Sequence, residues 1–314
     1  MRILFAGSPD IAVPSLEALA GAHDIVGVLT NPPSPKGRGL ALSPTPVAER
    51  AASILPGVPL LAPLKLGQAE RELVRSLAPD ILAVYAYGRI FGPKFLALFP
   101  RGGINAHPSL LPRWRGCAPI PYAIISRDER TGLCVQRVAR EMDAGDILDR
   151  VELSLRGDET TGSLSAWAAE AGAAALLRVL AAIERGTERA EPQDASQASY
   201  CAAIRKDDGL ISWDESPETL YAKLRAYSPW PGVWTTMKGE RLSILGMEPY
   251  DGGAFGDAEP PGAVLRMDKA RGILVKAGSG VLALTALQLR GKKAMGFKDF
   301  CNGVRGLEGL VLGA

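Results

Sequence analysis

The sequence predicts an α/β protein in two parts, a Rossmann-like open parallel sheet followed by a small β-barrel of OB type. Three observations predict it. Through the first half, short apolar runs alternate with helically spaced segments, the pattern of parallel strands covered by helices on both faces. A polar, proline-containing stretch over residues 187–199 then interrupts the chain. Beyond it come short apolar runs separated by glycine-rich turns, which suits a small antiparallel barrel.

A chain of 314 residues exceeds one typical compact core and fits two domains. The expected division is a larger domain over 1–188, a linker over 189–205 and a C-terminal domain over 206–314. In order, residues 3–6 form a strand ended by Gly7-Ser8-Pro9, 11–19 a helix and 25–29 the next strand. Further strands are expected at Ile81–Tyr85 and Gly103–His107. A long helix spans 164–185, with Leu164, Trp167, Ala171, Ala175, Val179 and Ile183 forming one apolar stripe. Gly186 is placed to end it, and Trp167 is expected in the core. In the second part 221–226 reads as helix, and Val233–Met237, 242–245, Gly272–Ala277 and 281–289 as strands.

Composition removes several function classes. Apolar content of 47% with 22% charged residues is that of an ordinary globular protein. The first residues lack the long apolar core of a signal peptide, and Arg178 interrupts the most apolar stretch, so a cytoplasmic chain is expected. Cys117, Cys134, Cys201 and Cys301 are scattered without a C-x-x-C pair, and only His23 and His107 are present, which argues against zinc. His23, between a helix and a strand, is expected at the surface. The turn Gly7-Ser8-Pro9-Asp10 lacks the G-x-G-x-x-G fingerprint, and Pro9 removes a backbone N–H, so a dinucleotide cofactor is disfavoured. Net charge is only +2, but residues 262–305 carry nine Lys or Arg against two Asp or Glu. Arg290, Lys292, Lys293 and Lys298 in that basic stretch suit a polyanionic partner.

The chemistry concentrates after the strand ending at His107. Residues two apart in a strand share a face, so Asn105 and His107 converge at its end, where open α/β sheets bind ligands. An amide N–H stabilises an oxyanion and an imidazole moves a proton near neutral pH, a pairing suited to acyl transfer. Alone, Asn-x-His favours the plainer reading of a polar pair closing a strand. An acid follows in Glu141-Met142-Asp143-Ala144-Gly145-Asp146, where Gly145 permits a tight turn and Asp143 can orient the imidazole; Asp146 is expected to serve the turn. No serine lies in G-x-S-x-G, so direct transfer between two bound substrates is favoured over a covalent acyl-enzyme.

With these residues in place, the chain resembles the formyltransferases that use 10-formyltetrahydrofolate. Their Asn-x-His and later acidic turn match Asn105, His107 and Asp143. The likeness runs along essentially the whole chain and is strongest to members acting on tRNA. It rests on Phe5-Ala6-Gly7-Ser8-Pro9-Asp10, Gly37-Arg38-Gly39, Ala86-Tyr87-Gly88, Ser109-Leu110-Leu111-Pro112-Arg113-Trp114-Arg115-Gly116, Pro229-Trp230-Pro231 and Gly291-Lys292-Lys293-Ala294-Met295. The resemblance implies a folate co-substrate held along Ser109, Leu110, Leu111 and Pro112 and near Tyr87, Gly88, Arg89 and Ile90. It implies that Asn105 donates to the formyl oxygen while His107, supported by Asp143, moves protons through a tetrahedral intermediate. It also implies initiator methionyl-tRNA as the amine, with Arg38 at its acceptor end and Lys292, Lys293 and Lys298 on a barrel that grips the stem. Where relatives often follow Gly-Arg-Gly with lysines, this chain has Leu40-Ala41-Leu42. A monomer and no metal are expected; the alternative is a formyltransferase for a small amine such as an amino sugar nucleotide.

Overall fold

A computed structural model of the chain describes residues 1–36, 41–253 and 259–313. The chain divides into two compact units. The first holds Met1–Ile120, Glu129–Leu155 and Ser163–Ala202, and the second holds Pro121–Asp128, Arg156–Gly162 and the chain from Ala203 onward.

The first unit begins with β1 (Arg2–Gly7), α1 (Val13–Ala22) and β2 (Asp24–Leu29), followed by the short pair β3 (Ser34–Lys36) and β4 (Ala41–Ser43). It continues with α2 (Pro46–Ile54), β5 (Leu60–Leu61), α3 (Gln68–Leu77), β6 (Ile81–Tyr85), α4 (Pro93–Leu96) and β7 (Gly103–His107). Next come β8 (Arg115–Gly116), then α5 (Pro119–Ile125), most of which falls in the Pro121–Asp128 segment of the second unit, and then β9 (Arg130–Arg137), β10 (Ile147–Ser154), α6 (Thr161–Arg185) and β11 (Tyr200–Cys201).

The main sheet has seven strands in the order β10-β9-β7-β6-β1-β2-β5. From β7 to β5 the pairs are parallel. Ile3, Leu4, Phe5 and Ala6 are each fully buried, as continuous apolar strands covered on both faces must be. The sheet is not parallel throughout: β9 runs antiparallel to β7, and β10 antiparallel to β9. β10 alternates buried or half-buried with exposed residues over much of its length, the habit of an edge strand with one wet face.

Helix α6 packs closely on this sheet. A Cβ at Gly172 would lie 2.6 Å from Tyr85 Cε1, so only glycine lets the helix approach the ring this closely. Tyr85 Oη donates to Ala168 O at 2.9 Å from the other side of the contact. The buried face is wider than the expected stripe, and it includes Ala168, Gly172, Leu176 and Leu180. Trp167 and Ala171 are only half-buried at its margin, which corrects the expectation of a core tryptophan. The 25-residue helix is long and apolar enough to cross a membrane, yet half of its most apolar window is buried inside the protein, as for a core helix. Gly186, at φ +66°, ends it as expected. His23 is also corrected: its side chain is 7% exposed, with Nδ1 3.6 Å from Glu184 Oε1. Burial and then the N-terminal charge lower its pKa.

The second unit carries α7 (Pro217–Ala226), β12 (Val233–Met237), β13 (Glu240–Pro249), β14 (Val264–Asp268), β15 (Gly272–Ala277), β16 (Gly280–Leu289), β17 (Met295–Gly296) and α8 (Phe297–Gly303). Ser216 caps α7 by accepting from Thr219 N, with Pro217 in the first turn. The strands form one antiparallel sheet in the order β12-β13-β16-β15-β14, and β17 pairs with β16. Inward positions of β12 alternate with half-buried ones, the period-two pattern of a strand with one face on the core.

Candidate active site

Strand β7 delivers Asn105 and His107 to the carboxyl edge of the sheet. His107 is 4% exposed. Its Nε2 lies 2.8 Å from Trp114 O. A carbonyl oxygen only accepts, so this nitrogen carries a hydrogen, and Nδ1 is left facing Asp143. Nδ1 is 3.6 Å from Asp143 Oδ1.

Asp143 reaches that position because of the turn after β9. It adopts φ +54°, a left-handed conformation that aspartate tolerates better than most residues. A Cβ at Gly145 would stand 1.8 Å from Arg137 O, so the turn closes only around glycine. The carboxylate is met by donors on both oxygens. Gln136 Nε2 donates to Oδ1 at 2.9 Å, and the Gly116 N–H donates to Oδ2 at 2.9 Å. Asn105 Nδ2 reaches Oδ1 only at 3.4 Å, a weak contact. Asn105, His107 and Asp143, named from the sequence, are therefore brought to one point.

The loop behind them is stitched down by short contacts. Ser109 N donates to His107 O at 2.8 Å, and Ser109 Oγ donates to Arg113 O at 2.6 Å. β8 pairs with β11, and a Cβ at Gly116 would lie 2.3 Å from Cys201 O. The Cys201 thiol faces Arg115 O at 3.4 Å and accepts from Ala118 N at 3.3 Å. Burial is the largest cause that pushes this thiol up to about 11, so it stays protonated at neutral pH.

The residues implied for folate leave neighbouring strands on the same edge, since Tyr85 of β6 pairs with Ala106 of β7. Tyr87 is 1% exposed, Gly88 takes φ +77°, and Ile90 presents an apolar side chain that is 73% exposed. Arg89 Nη1 donates to Pro63 O and Leu64 O, each at 2.8 Å. Asn31 Nδ2 bridges Tyr87 O and Ser8 Oγ, both at 2.9 Å, and ties the turns after β1, β2 and β6 together. In the second loop Ser109 is fully buried, and Leu111 joins Cys134 and Ile147 in a small core. Leu110 packs against Gly132, where a Cβ would lie 2.4 Å from Leu110 Cδ2. Pro112 O accepts from Ser199 N at 3.3 Å.

In the second unit Lys292 and Lys293 are exposed on the turn between β16 and β17, and Lys298 is exposed at the start of α8. Arg38 lies outside the described residues. Among the described residues no cluster of three or more His, Cys, Asp or Glu is placed to hold a metal ion.

Three site residues escaped the sequence reading. Gln136 is 2% exposed in β9, directly opposite Asn105, and a glutamine directly following the run Leu133-Cys134-Val135 was a signal that something polar faces it. Arg115, 4% exposed, donates from Nε and Nη2 to Gln193 Oε1 at 3.1 and 2.8 Å. Gln193 lies in the stretch expected as a linker, where nothing local marks it.

The Ser109 hydroxyl and the Cys201 thiol are thus engaged elsewhere, and an amide, an imidazole and a carboxylate meet at the sheet edge. That combination suits a group-transfer enzyme. The model of the formyl transferase family matches residues 1–180, and that of the formyl transferase C-terminal domain matches residues 203–305. The chain belongs to the formyl transferase family. It is 45% identical over 309 residues to the methionyl-tRNA formyltransferase of Treponema pallidum (strain Nichols), covering 96% of each chain. It is 37% identical over 315 residues to that of Moorella thermoacetica, covering 100% of this chain and 99% of the other. Among solved structures, an N-formyltransferase from Helicobacter canadensis in complex with folinic acid and dTDP-3-aminofucose shares the fold at 17% identity. Its TM-score is 0.65, over 90% of this chain and 99% of that one.

Proposed function

We propose that this chain transfers the formyl group of 10-formyltetrahydrofolate to the α-amino group of methionine on initiator methionyl-tRNA. The observation that carries the chemistry is the convergence of Asn105, His107 and Asp143 on one point at the end of β7. The choice of acceptor is supported by whole-length relatives that are methionyl-tRNA formyltransferases.

The reaction needs little covalent help. The amine lone pair forms the new C–N bond as the carbonyl π electrons move to oxygen. Collapse then breaks the bond to the donor nitrogen, which gains a proton for the one the amine gives up. Asn105 stabilises the developing charge, because its weak 3.4 Å contact to Asp143 yields to a charge-assisted bond with an oxyanion. His107 carries the proton, and Asp143 holds the ring in the orientation that allows it. The folate fits the paired turns at 86–90 and 108–112: Ile90 offers an exposed apolar surface to a flat ring, and the Ser109 to Pro112 backbone runs from His107 itself. Arg38, Lys292, Lys293 and Lys298 meet the tRNA phosphates in this reading. A monomer acting in the cytoplasm is part of this reading.

Purified protein incubated with radiolabelled 10-formyltetrahydrofolate should label methionyl-tRNA. Labelling of an amino sugar nucleotide, with none on the tRNA, would overturn the assigned acceptor in favour of a small amine.

A further inference from the structure

Gln193 sits 50 residues along the chain from Asp143, yet its side chain touches the turn that carries Asp143 at two points. Nε2 donates to Asp143 O at 2.9 Å and to Gly145 O at 2.7 Å, and with only two hydrogens it shares one of them with Gln136 Oε1 at 3.2 Å. Its Oε1 accepts twice from Arg115. A guanidinium has donors only, so it dictates which end of the Gln193 amide faces which way. With Oε1 turned to Arg115, Nε2 must point at the turn and at Gln136. Gln136 then receives on Oε1, and that turns its own Nε2 onto Asp143 Oδ1 at 2.9 Å. Were the Gln136 amide reversed, its carbonyl oxygen would face the carboxylate and repel it.

We propose that Gln193 is a positioning residue for catalysis: oriented by Arg115, it sets the Gln136 amide and the Asp143–Gly145 turn, and through them the approach of Asp143 to His107. The proposal rests on the reading of Asn105, His107 and Asp143 as the reacting centre. Buried partners that orient reacting groups commonly cost 10–100-fold in activity when removed. Gln193 itself contacts neither Asn105 nor His107 in the described hydrogen bonds, so its effect must run through Gln136 and Asp143.

The test compares Gln193→Ala, Gln193→Glu and Gln136→Ala. Glutamate at 193 still pairs with Arg115 but cannot donate, and it guards against an alanine variant that fails to fold. Both changes at 193 should lower kcat by about tenfold or more, with KM for folate and tRNA within about twofold. The double variant Gln136→Ala, Gln193→Ala should lose less than the product of the two single losses, because part of the Gln193 effect runs through Gln136, whereas losses that multiply in full overturn the relay. A readout free of turnover separates this inference from the assigned reaction. The chain has two histidines, so ¹⁵N-histidine spectra resolve the His107 ring with His23 as internal reference. The His107 ring nitrogens should shift in both variants at 193 while His23 stays in place. Unchanged His107 signals would sink the proposal, whether or not the enzyme formylates the proposed acceptor.

Discussion

Asp143 and Lys292 are both charged, and the protein treats them in opposite ways. The Asp143 carboxylate is faced by Gln136, Gly116, Asn105 and the His107 ring, each at a defined distance. At Lys292 the backbone is held: its N–H donates to Leu289 O at 3.0 Å, and its carbonyl accepts from Gln288 Nε2 at 2.8 Å. Its side chain is exposed. The difference follows from what each is asked to do. A proton or an oxyanion is served only by groups fixed to within about 0.5 Å. Attraction to a polyanion acts over a Debye length of about 8 Å at physiological salt, so the number of charges matters more than the rotamer of any one.

The strongest way to break this contrast is to remove the imidazole. His107→Ala should lower kcat by about 100-fold or more, the usual contribution of a general acid–base group. Its circular dichroism should stay that of a folded protein, with a lowered thermal midpoint because the imidazole is buried and Trp114 O loses its donor. Retention of most of the activity would show that His107 does not move the proton.

A smaller effect comes from the turn. Gly145→Ala places a methyl within 1.8 Å of Arg137 O, backbone that cannot rotate away, so the turn must open and carry Asp143 with it. The expected cost is about 1–3 kcal/mol of stability, typical of an overpacked or strained site, read by urea unfolding. A fall in kcat of about tenfold should accompany it. If stability falls but kcat does not, the exact placement of Asp143 matters less than the contrast requires.

The same contrast explains what was legible in the sequence. Ile81–Tyr85 and Gly103–His107 appear at their expected bounds because central strands buried on both faces leave no competing period. Asn105 and His107 could be paired from the period of two alone. The antiparallel direction of β9 and β10 was not visible, since an apolar run says nothing of which way its neighbour points. Gln193 was invisible for a related reason: its partners at 115, 136 and 143 meet only in the folded chain, and its local surroundings are those of any polar connection. Trp167 misled because the six-residue stripe assumed a narrow face, whereas small residues at 168 and 172, outside that stripe, are buried as well and widen it.

On the surface, single charges should matter least, and their effect should take a different form. Reversing Lys292 and Lys293 to glutamate is expected to raise the KM for tRNA severalfold while kcat at saturation holds. Each phosphate contact contributes about one unit to the slope of log affinity against log salt, so the double variant should flatten that slope by about two units. The KM for 10-formyltetrahydrofolate should not change. A drop in kcat instead would mean that these lysines reach the reacting groups, and an unchanged salt slope would mean that they are ordinary solvated surface. In the first case the surface would share the geometric demands of the Asp143 turn. In the second, the phosphate contacts would have to come from other basic residues of 262–305, such as Arg290 or Lys298, or from Arg38.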